Sequence, residues 1–469
     1  MVDTGSQVTI VNNEVYVKEI KPENWVRGIS GAPIPAQKIP IVIYVYNREP
    51  LQANIMKMNV ECCVLGMDLL QDIVGEWLPL KQLKGICAVI SIVKIDPVVL
   101  PRIPASFTKQ YPIKGGHDEI TEALRELEDQ GVVERTQSFN YNSPVWPVKK
   151  PNGKWRFTVD YRNINKLSPQ MPGNLPEVES IFSGIKQLAP EWYAAVDLSD
   201  MFFCIPLAEE SREITTFTWD ACQYRFTRLP QGYRNSPIIA HATLRQTIPW
   251  DSFPKSVRVF SYVDDLLVCG KDKSEVDSTI KQLVTLLQQA GWTVNPDKIQ
   301  GPSQQVKFLG VLWSSVGPSI PDKVMDILTH IEEPKTKQQA QHIIGLFGYW
   351  KNHIPYLQIL LAPMYKVTRK AQDFVWGKEQ QDAFHTALSY MKLYAQLYIP
   401  QPDEELVIDI LFVKDYASWG MFIKRSGKTL PIGFRCKRFP YAPNKYSLFE
   451  KYVWATYSAL QGNWQRQEE

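Results

Sequence analysis

Two adjacent aspartates, Asp264 and Asp265, lie between two apolar runs within residues 257–270. Each run is long enough for a β-strand, so the pattern predicts a hairpin that carries both carboxylates at its tip. Placing two uncompensated charges between buried strands is costly, and a bound divalent cation would offset that cost. A solvent-exposed Asp-Asp turn would need no cation, because aspartate is common in turns. This segment alone leaves both interpretations open.

A third aspartate follows another strand-like segment. Asp197 ends the apolar run that begins at Trp192 and precedes Asp264 by 264 − 197 = 67 residues. Adjacent strands can bring three carboxylates together, and oxygen ligands without a nearby histidine or cysteine pair favour Mg²⁺, with Mn²⁺ as the second choice. Two such ions can stabilise both the attacking and the leaving oxygen of a phosphoryl transfer. The alternative for Asp197 is a helix cap after the strand.

The composition limits the kind of protein that can position these carboxylates. The 469 residues are 44% hydrophobic and 22% charged, which predicts about three globular domains. The net charge is 52 − 49 = +3, so a polyanion would need a local basic patch. The seven cysteines form no CxxC pair, which argues against a disulfide framework or a zinc knuckle. Without a signal peptide or a membrane-length apolar run, we expect an intracellular protein, cytoplasmic or virion-associated, that is not secreted.

The residue pattern changes along the chain. Residues 1–75 contain short strand-like runs at 7–11, 41–45 and 62–65, and residues 85–113 are rich in proline. A helix is predicted from Asp118 to Gly131, and residues 140–315 mix strand and helix patterns. Residues 334–372 are mostly helical and carry six Lys or Arg but no Asp or Glu. Strand patterns return from about residue 405.

Several motifs resemble those of retroviral reverse transcriptases, in the family's order and spacing. The Asp pair lies in Tyr-Val-Asp-Asp at 262–265, the signature of these enzymes, and Asp197 lies in a segment that resembles their first palm motif. Residues 229–237 resemble the second palm motif, 147–166 the fingers, and 308–313 the primer grip. The resemblance is strongest to gammaretrovirus-like endogenous elements.

The resemblance implies a role for each matching residue. Asp197, Asp264 and Asp265 would be catalytic metal ligands, and Lys298 would protonate the leaving pyrophosphate. Lys150 and Arg156 would bind the triphosphate, and Phe202 would lie under the sugar. Gln231 and Gly232 would allow close approach of the template and the nucleotide. Without the resemblance, each residue has a purely structural alternative. Lys150 and Arg156 would lie on a solvated basic strand, and Phe202 would pack in the core. Gln231, Gly232 and Lys298 would lie in ordinary turns.

The start of the chain resembles a retroviral aspartic protease. Asp3-Thr-Gly resembles the catalytic turn, residues 28–31 the flap, and residues 64–70 the closing motif. Such proteases need two aspartates that share a proton, so a homodimer would have to supply the second one. Because only two residues precede Asp3, we expect a truncated remnant without protease activity.

The last third of the chain resembles the thumb of gammaretroviral proteins and the domain after the thumb. The acid-free basic stretch from 334 suits contacts with primer–template phosphates. Residues 401–469 resemble the start of an RNase H-like fold, and Asp409 and Glu450 lie near its first two carboxylate positions. We expect a connection domain without RNase H activity, because the remaining carboxylates are not present.

These observations predict a multidomain chain. Its parts would be an all-β retropepsin-like remnant (1–75), a linker (76–110), an α+β right-hand polymerase with fingers and palm (111–320) and thumb (321–400), and an α/β RNase H-like connection domain (401–469). The predicted function is RNA-directed DNA polymerase, which extends a primer on an RNA or DNA template with deoxynucleoside triphosphates. The alternatives are a catalytically decayed nucleic-acid-binding remnant and a residual dimeric aspartic protease.

Overall fold

The computed structural model describes residues 90–461, apart from 114, 150–152, 154, 174, 370–372, 402, 414–415 and 440–445, and four strands before residue 60. The chain divides into two compact units, Met1–Ser91 and Ile92–Glu469. Within the described part, no helix is long and apolar enough to cross a membrane.

The described residues of the first unit form one sheet of four strands, as expected for an all-β segment. The strands are β1 (Ile10–Val11), β2 (Asn24–Arg27), β3 (Pro33–Ile43) and β4 (Leu51–Lys57), in the order β1-β4-β3-β2. β1 pairs with β4 in parallel, and the other pairs are antiparallel. Asp3, the flap-like residues 28–31 and the predicted strand 62–65 lie outside the described residues.

A five-stranded sheet begins the second unit, with the order β5-β7-β11-β12-β6. Its strands are β5 (Ser106–Phe107), β6 (Val133–Thr136), β7 (Tyr141–Pro144), β11 (Phe217–Trp219) and β12 (Cys222–Phe226). A separate hairpin pairs β8 (Val148–Lys149) with β9 (Trp155–Arg156). The helices of this region are α1 (His117–Asp129), α2 (Arg162–Leu167) and α4 (Glu209–Arg212).

The predicted linker at 76–110 is wrong for the residues from 92 onward. The amide of Val93 donates to the carbonyl of Cys204 at 2.8 Å, and that of Val98 donates to the carbonyl of Pro206 at 2.9 Å. Val93 and Leu100 are buried, and β5 joins the five-stranded sheet. Proline-rich composition predicts irregular backbone, which is present, but long-range hydrogen bonds and buried side chains hold it against the rest of the unit.

A four-stranded antiparallel sheet with the order β13-β14-β10-β15 lies in the segment predicted to be the palm, and that name is kept for it below. The strands are β10 (Trp192–Asp197), β13 (Val257–Tyr262), β14 (Asp265–Gly270) and β15 (Gln300–Ser303). Helix α6 (Lys273–Gln289) packs on β10 and β14. Ile181 and Ile185 of α3 (Val178–Leu188) share a buried cluster with Leu267 and Cys269 of β14. α5 (Ser236–Thr247) completes this region.

The same buried cluster continues through a small palm sheet into the helices of residues 321–400, the predicted thumb. A three-stranded sheet of β16 (Gln305–Phe308), β17 (Val311–Ser314) and β18 (Pro318–Ser319) carries Trp313, which is fully buried. Five helices follow: α7 (Asp322–His330), α8 (Lys337–Tyr349), α9 (Leu357–Leu360), α10 (Ala362–Val367) and α11 (Lys378–Leu393). Phe347 of α8 and Phe384 of α11 belong to the cluster, so palm and thumb share one apolar core.

A three-stranded antiparallel sheet and one helix end the described chain. The strands are β19 (Leu406–Val413), β20 (Tyr416–Arg425) and β21 (Lys428–Arg438), and the helix is α12 (Leu448–Gln461). Trp419, Met421 and Ile423 of β20 pack with Ala455 and Ala459 of α12. Residues 417–421 of β20 are all buried, as expected for the central strand of the sheet.

Two helices end on the same glycine motif in different surroundings. Gly131 after α1 has φ +66°, and Gly291 after α6 has φ +90°. In both, the next residue's amide donates back to the fifth residue before it: Val132 to Leu127, and Trp292 to Leu287. This is the Schellman motif, which needs the left-handed conformation. A methyl group at Gly131 would meet open space, whereas one at Gly291 would lie 2.0 Å from the carbonyl oxygen of Ile92.

We predict that Gly291→Ala is much more destabilising than Gly131→Ala. Both substitutions strain a positive φ, at a cost of about 1 kcal/mol. Gly291→Ala also forces the segment at Ile92 away, so its total cost should reach about 3 kcal/mol or more. Chemical denaturation of the two variants measures the difference. Equal losses of stability would show that the segment at Ile92 is not packed against the end of α6.

Candidate active site

Strand pairing brings the three predicted aspartates to one end of the palm sheet. Asp197, the last residue of β10, is the cross-strand partner of Asp265, the first residue of β14. Tyr262 pairs with Asp265 across the hairpin, which leaves Val263 and Asp264 as a two-residue turn. Val263 has φ +52°, and the carbonyl of Asp264 accepts from the Leu198 amide at 2.9 Å. The predicted hairpin with carboxylates at its tip is confirmed.

Burial of the strands determines which way the carboxylates face. Leu266, Leu267, Val268 and Cys269 of β14 are all fully buried, because both faces of the palm sheet are covered. A one-residue slip of the strand would exchange the two faces and move every side chain. The apolar strand therefore holds the aspartates in register at the sheet end, where they are only partly buried.

The aspartates disturb each other's ionisation. Burial, together with the neighbouring charges of Asp264 and Asp197, raises the pKa of Asp265 to about 6. The pKa of Asp264 is also raised, mainly by burial and in part by Asp197. Clustered carboxylates resist losing all their protons, because each negative charge disfavours the next. Positive charge placed among them would restore full ionisation.

Lys298 supplies one such charge. It ends the 3-10 helix Pro296–Lys298, which Asn295 caps by accepting from the Asp297 amide at 2.9 Å. The Lys298 ammonium donates to Oδ2 of Asp197 at 2.7 Å, and this hydrogen bond raises the pKa of Lys298. The structure thus brings Lys298 together with the aspartates, as a partner of Asp197. Its role as a proton donor to pyrophosphate stays a prediction.

The donor set fits a hard divalent cation. Three carboxylates with no competing thiolate or imidazole are the ligands that suit Mg²⁺ or Mn²⁺. Among the residues that the structure describes, no group of three or more His, Cys, Asp or Glu side chains converges closely enough to hold an ion. The register of β10 and β14 brings the backbones together, and cation binding would require the carboxylates to turn toward a common point.

The Phe202 side chain is less buried than those of its neighbours. It lies in the 3-10 helix Met201–Cys204, where Met201, Phe203 and Cys204 are buried but Phe202 is only partly buried. Asp200 precedes this helix with φ +49°, a left-handed conformation that turns the chain just after Asp197. The core-packing alternative for Phe202 is thereby weakened, because its neighbours fill the interior and it faces partly outward.

The fingers hairpin reaches the second palm motif. Nη2 of Arg156 on β9 donates to Oε1 of Gln231 at 2.6 Å. Gly232 has φ +87° and its carbonyl accepts from the Asn165 amide group at 2.9 Å. Three of the predicted nucleotide-contacting residues are therefore neighbours, although Arg156 and Gln231 are far apart in sequence. Lys150 lies outside the described residues.

Several residues that shape this site were not predicted from the sequence. Asn165 also accepts from the Arg234 amide at 2.8 Å, and the fully buried Asn235 donates to the Pro169 carbonyl at 3.0 Å. The Tyr349 hydroxyl of α8 donates to the carbonyl of Leu309, in the turn between β16 and β17. Asn165 and Asn235 lie inside quoted motifs and could have been singled out, whereas Tyr349 carries no local signal.

The two candidate RNase H carboxylates lie on different elements, Asp409 on β19 and Glu450 on α12. Asp409 is exposed on β19. The Glu450 carboxylate accepts from the Ser447 amide at 2.7 Å and hydroxyl at 2.9 Å, and the Ser447 hydroxyl accepts from the Glu450 amide. That reciprocal arrangement is a capping box at the start of α12. It gives Glu450 a structural role.

Comparison with known proteins agrees with this geometry. Residues 148–312 match the family "Reverse transcriptase (RNA-dependent DNA polymerase)". The chain is 31% identical over 305 residues to the Pro-Pol polyprotein of simian foamy virus type 1, a match that covers 64% of this chain and 26% of that protein. It is 30% identical over 345 residues to the Gag-Pol polyprotein of avian reticuloendotheliosis virus, covering 70% of this chain and 29% of the relative.

The fold is also found in solved structures. A foamy viral protease-reverse transcriptase in complex with an RNA/DNA hybrid superposes with a TM-score of 0.67 at 22% identity, covering 98% of this chain and 66% of that one. A second foamy viral structure, in complex with double-stranded DNA, has a TM-score of 0.66 at 23% identity, covering 98% of this chain and 86% of that chain. The chain spans only between a quarter and a third of the length of the simian foamy virus and avian reticuloendotheliosis virus polyproteins.

We predict that Asp265→Asn stabilises the metal-free protein at neutral pH. An aspartate whose folded pKa is about 6 favours folding below its unfolded pKa near 4, and this contribution is lost as pH rises through 6. Asparagine removes the repelling charge, so the melting temperature in chelator at pH 7 should rise by about 2–4 °C. The gain should vanish near pH 4. Exposed Asp251→Asn is the control, and an equal effect there would contradict the clustered-charge explanation.

Proposed function

We propose that this chain, a retroviral Pol fragment with a reverse transcriptase domain at residues 148–312, is an RNA-directed DNA polymerase. The observation that carries the proposal is the register of the palm sheet, in which Asp197 lies opposite Asp265 and beside the Asp264 turn. Carboxylates held at adjacent strand ends are what nucleotidyl transfer requires, because the reaction depends on positioning and on neutralising phosphate charge.

Asp197, Asp264 and Asp265 would hold Mg²⁺, or Mn²⁺ in its place. When bound, the ions would activate the primer hydroxyl and neutralise the triphosphate. The protein contributes a sheet end that keeps the three carboxylates in one place without closing over them. It also contributes Lys298, which balances the charge of Asp197 at 2.7 Å. We retain Lys298 as a candidate proton donor to the leaving group.

The fingers and the second palm motif would bind the incoming nucleotide. Arg156 is exposed and already bridges to Gln231, so its remaining guanidinium donors can meet a phosphate. Lys150, the next residue in sequence after β8, would add a second positive charge. Phe202 would lie against the deoxyribose and exclude a 2′-hydroxyl. Gly232, which is exposed with a positive φ, leaves room for close approach of the template.

A primer–template duplex would be held by the thumb. Lys335, Lys366 and Arg369 are exposed in a stretch that contains no acidic residue. Solved relatives of the same fold were determined in complex with an RNA/DNA hybrid and with double-stranded DNA. We therefore propose a hybrid or DNA duplex as the macromolecular substrate and deoxynucleoside triphosphates as the small one, with affinity that falls as salt rises.

We propose the same domain layout as the sequence motifs suggest, with the palm residues as the functional part. Residues 1–75 would be a retropepsin-like remnant, inactive unless a homodimer supplies a second aspartate beside Asp3. Residues 401–469 would be a connection domain, since the Glu450 carboxylate is used to cap α12. Cleavage of a retroviral junction peptide by this chain, lost on Asp3→Asn, would contradict the remnant interpretation.

We predict that Asp264→Asn abolishes primer extension while primer–template binding survives. Loss of a direct ligand should reduce extension by more than about 100-fold, beyond the roughly 10–100-fold that loss of an outer-shell partner costs. Binding depends on the basic surfaces and should stay within about twofold. The assay is extension of a labelled DNA primer on an RNA template with Mg²⁺, alongside fluorescence anisotropy. Exposed Asp326→Asn is the control. Extension by Asp264→Asn at the control's rate would refute the metal assignment.

We predict that Phe202→Val admits ribonucleotides. The smaller side chain opens space at the sugar, so discrimination against ribonucleotides should fall by about 10–100-fold while deoxynucleotide use remains measurable. The measurement is the ratio of kcat/KM for the two nucleotides in single-nucleotide extension. Phe139, which is 92% exposed on the fingers, provides the control Phe139→Val. An unchanged ratio in Phe202→Val would mean that its ring does not face the sugar.

A further inference from the structure

One carboxylate of the palm meets cations from two other parts of the second unit. Glu179 lies in the first turn of α3, on the palm. Its Oε1 pairs with the ammonium of Lys351, which follows thumb helix α8, and its Oε2 pairs with Nη1 of Arg435 on β21 at 2.5 Å. Burial raises the pKa of Glu179, but the two hydrogen bonds outweigh it, so the pKa is lowered overall. The Glu179 carboxylate is therefore ionised and is shared between the two cations.

A second contact joins the same palm helix to the same strand. Lys186 lies seven residues after Glu179, two turns along the same side of α3. Its ammonium donates to the carbonyl of Ile432 on β21 at 3.2 Å. Burial, together with the charge of Arg435, lowers its pKa to about 8. Helix α3 thus holds β21 at two points, and Glu179 is the point that also reaches the thumb.

β21 and the thumb are themselves closely packed. The rings of Tyr394 and Phe434 lie 4.6 Å apart, and the amide of Tyr398 donates to the carbonyl of Pro431 at 2.8 Å. His353, two residues after Lys351, is buried with a pKa lowered to about 4, so its neutral ring can donate from Nδ1 to the Tyr394 carbonyl. The position of Lys351 is therefore linked to β21 through the thumb backbone.

Lys351 is also close in sequence to Tyr349, through which the thumb contacts the hairpin of β16 and β17. Tyr349, two residues earlier, donates to the Leu309 carbonyl in the turn of β16 and β17. The end of α8 is thus tied to the palm on both sides, by a hydroxyl at the hairpin and by the Glu179 ion pair. These two ties add to the shared apolar core in fixing the direction in which α8 leaves the palm, and α8 begins at the basic residue Lys337.

We propose that Glu179 is a positioning residue for primer–template binding, which holds the thumb to the palm and lets the sheet of β19–β21 stabilise the thumb's orientation. The proposal rests on the polymerase function proposed above. Glu179 is itself negative, so its direct electrostatic effect on a polyanion is repulsive. If charge alone mattered, neutralising Glu179 would strengthen binding of the primer–template. Weaker binding would therefore have to arise through a change in the position of the thumb.

The test compares Glu179→Gln with Glu177→Gln, an exposed glutamate two residues earlier that precedes α3. Fluorescence anisotropy with a labelled primer–template measures affinity and dissociation rate without requiring polymerisation. We expect Glu179→Gln to weaken binding by about 5- to 10-fold through faster dissociation, because two partly exposed ion pairs are lost. The single-turnover extension rate of the prebound complex should stay near that of the unaltered chain, and thermal unfolding should confirm a folded protein.

Two further variants locate the effect. Arg435→Met should weaken binding more than Lys428→Met, which removes an exposed cation from the same strand. When Lys351→Met and Arg435→Met are combined, adding Glu179→Gln should weaken binding no further, because the partners are already gone. Unchanged or tighter binding by Glu179→Gln, or an equal loss in Glu177→Gln, would overturn the inference alone. No binding by the unaltered chain would overturn the proposed function as well.

Discussion

Mutual repulsion among three carboxylates is the constraint on which the rest of the palm depends. Burial raises the pKa of Asp264 and Asp265, and the charges of Asp264 and Asp197 raise that of Asp265 further, as Asp197 does for Asp264, so bringing the three together opposes folding. Apolar burial in the same strands opposes the repulsion: four consecutive residues of β14 are fully buried, and a slip in the register of β10 and β14 would move each of them to the other face and disrupt its packing. Apolar burial in the middle of the sheet stabilises the fold enough to offset the repulsion at its end. Functional sites commonly lower stability in this way.

The surrounding elements supply the charges and turns that complete this arrangement. Lys298 reaches Asp197 from a short helix that Asn295 caps, and Arg156 reaches Gln231 from the fingers hairpin. Each group comes from a different element, so the site exists only in the folded second unit. The palm and thumb share one apolar core, and the bond from Tyr349 to the Leu309 carbonyl ties a thumb helix to a palm turn. The geometry of the site is therefore coupled to the position of the thumb.

The parts of the fold that are local in sequence could be predicted from it, and the parts that depend on distant contacts could not. The hairpin around Asp264 and Asp265 is confirmed because two apolar runs and the two-residue turn between them are short-range properties. The linker was wrong from residue 92 because proline content indicates irregular backbone but not where its amides bond, and Val93 bonds to Cys204. The pairing of Asp197 with Asp265 was predictable from the motifs, whereas the two cationic partners of Glu179 belong to no local pattern.

The balance of charge distinguishes the palm aspartates from the Glu179 junction. At the palm sheet end, three aspartates share the ammonium of Lys298, so negative charge is in excess, and burial together with this excess raises the pKa values of Asp264 and Asp265. At the junction, Glu179 faces Lys351 and Arg435, and the pKa of the carboxylate is lowered. A cluster with excess negative charge can bind a ligand that supplies positive charge. A cluster whose charges are already balanced needs no ligand and can serve as a structural contact. The first suits catalysis with bound cations, and the second suits holding domains together.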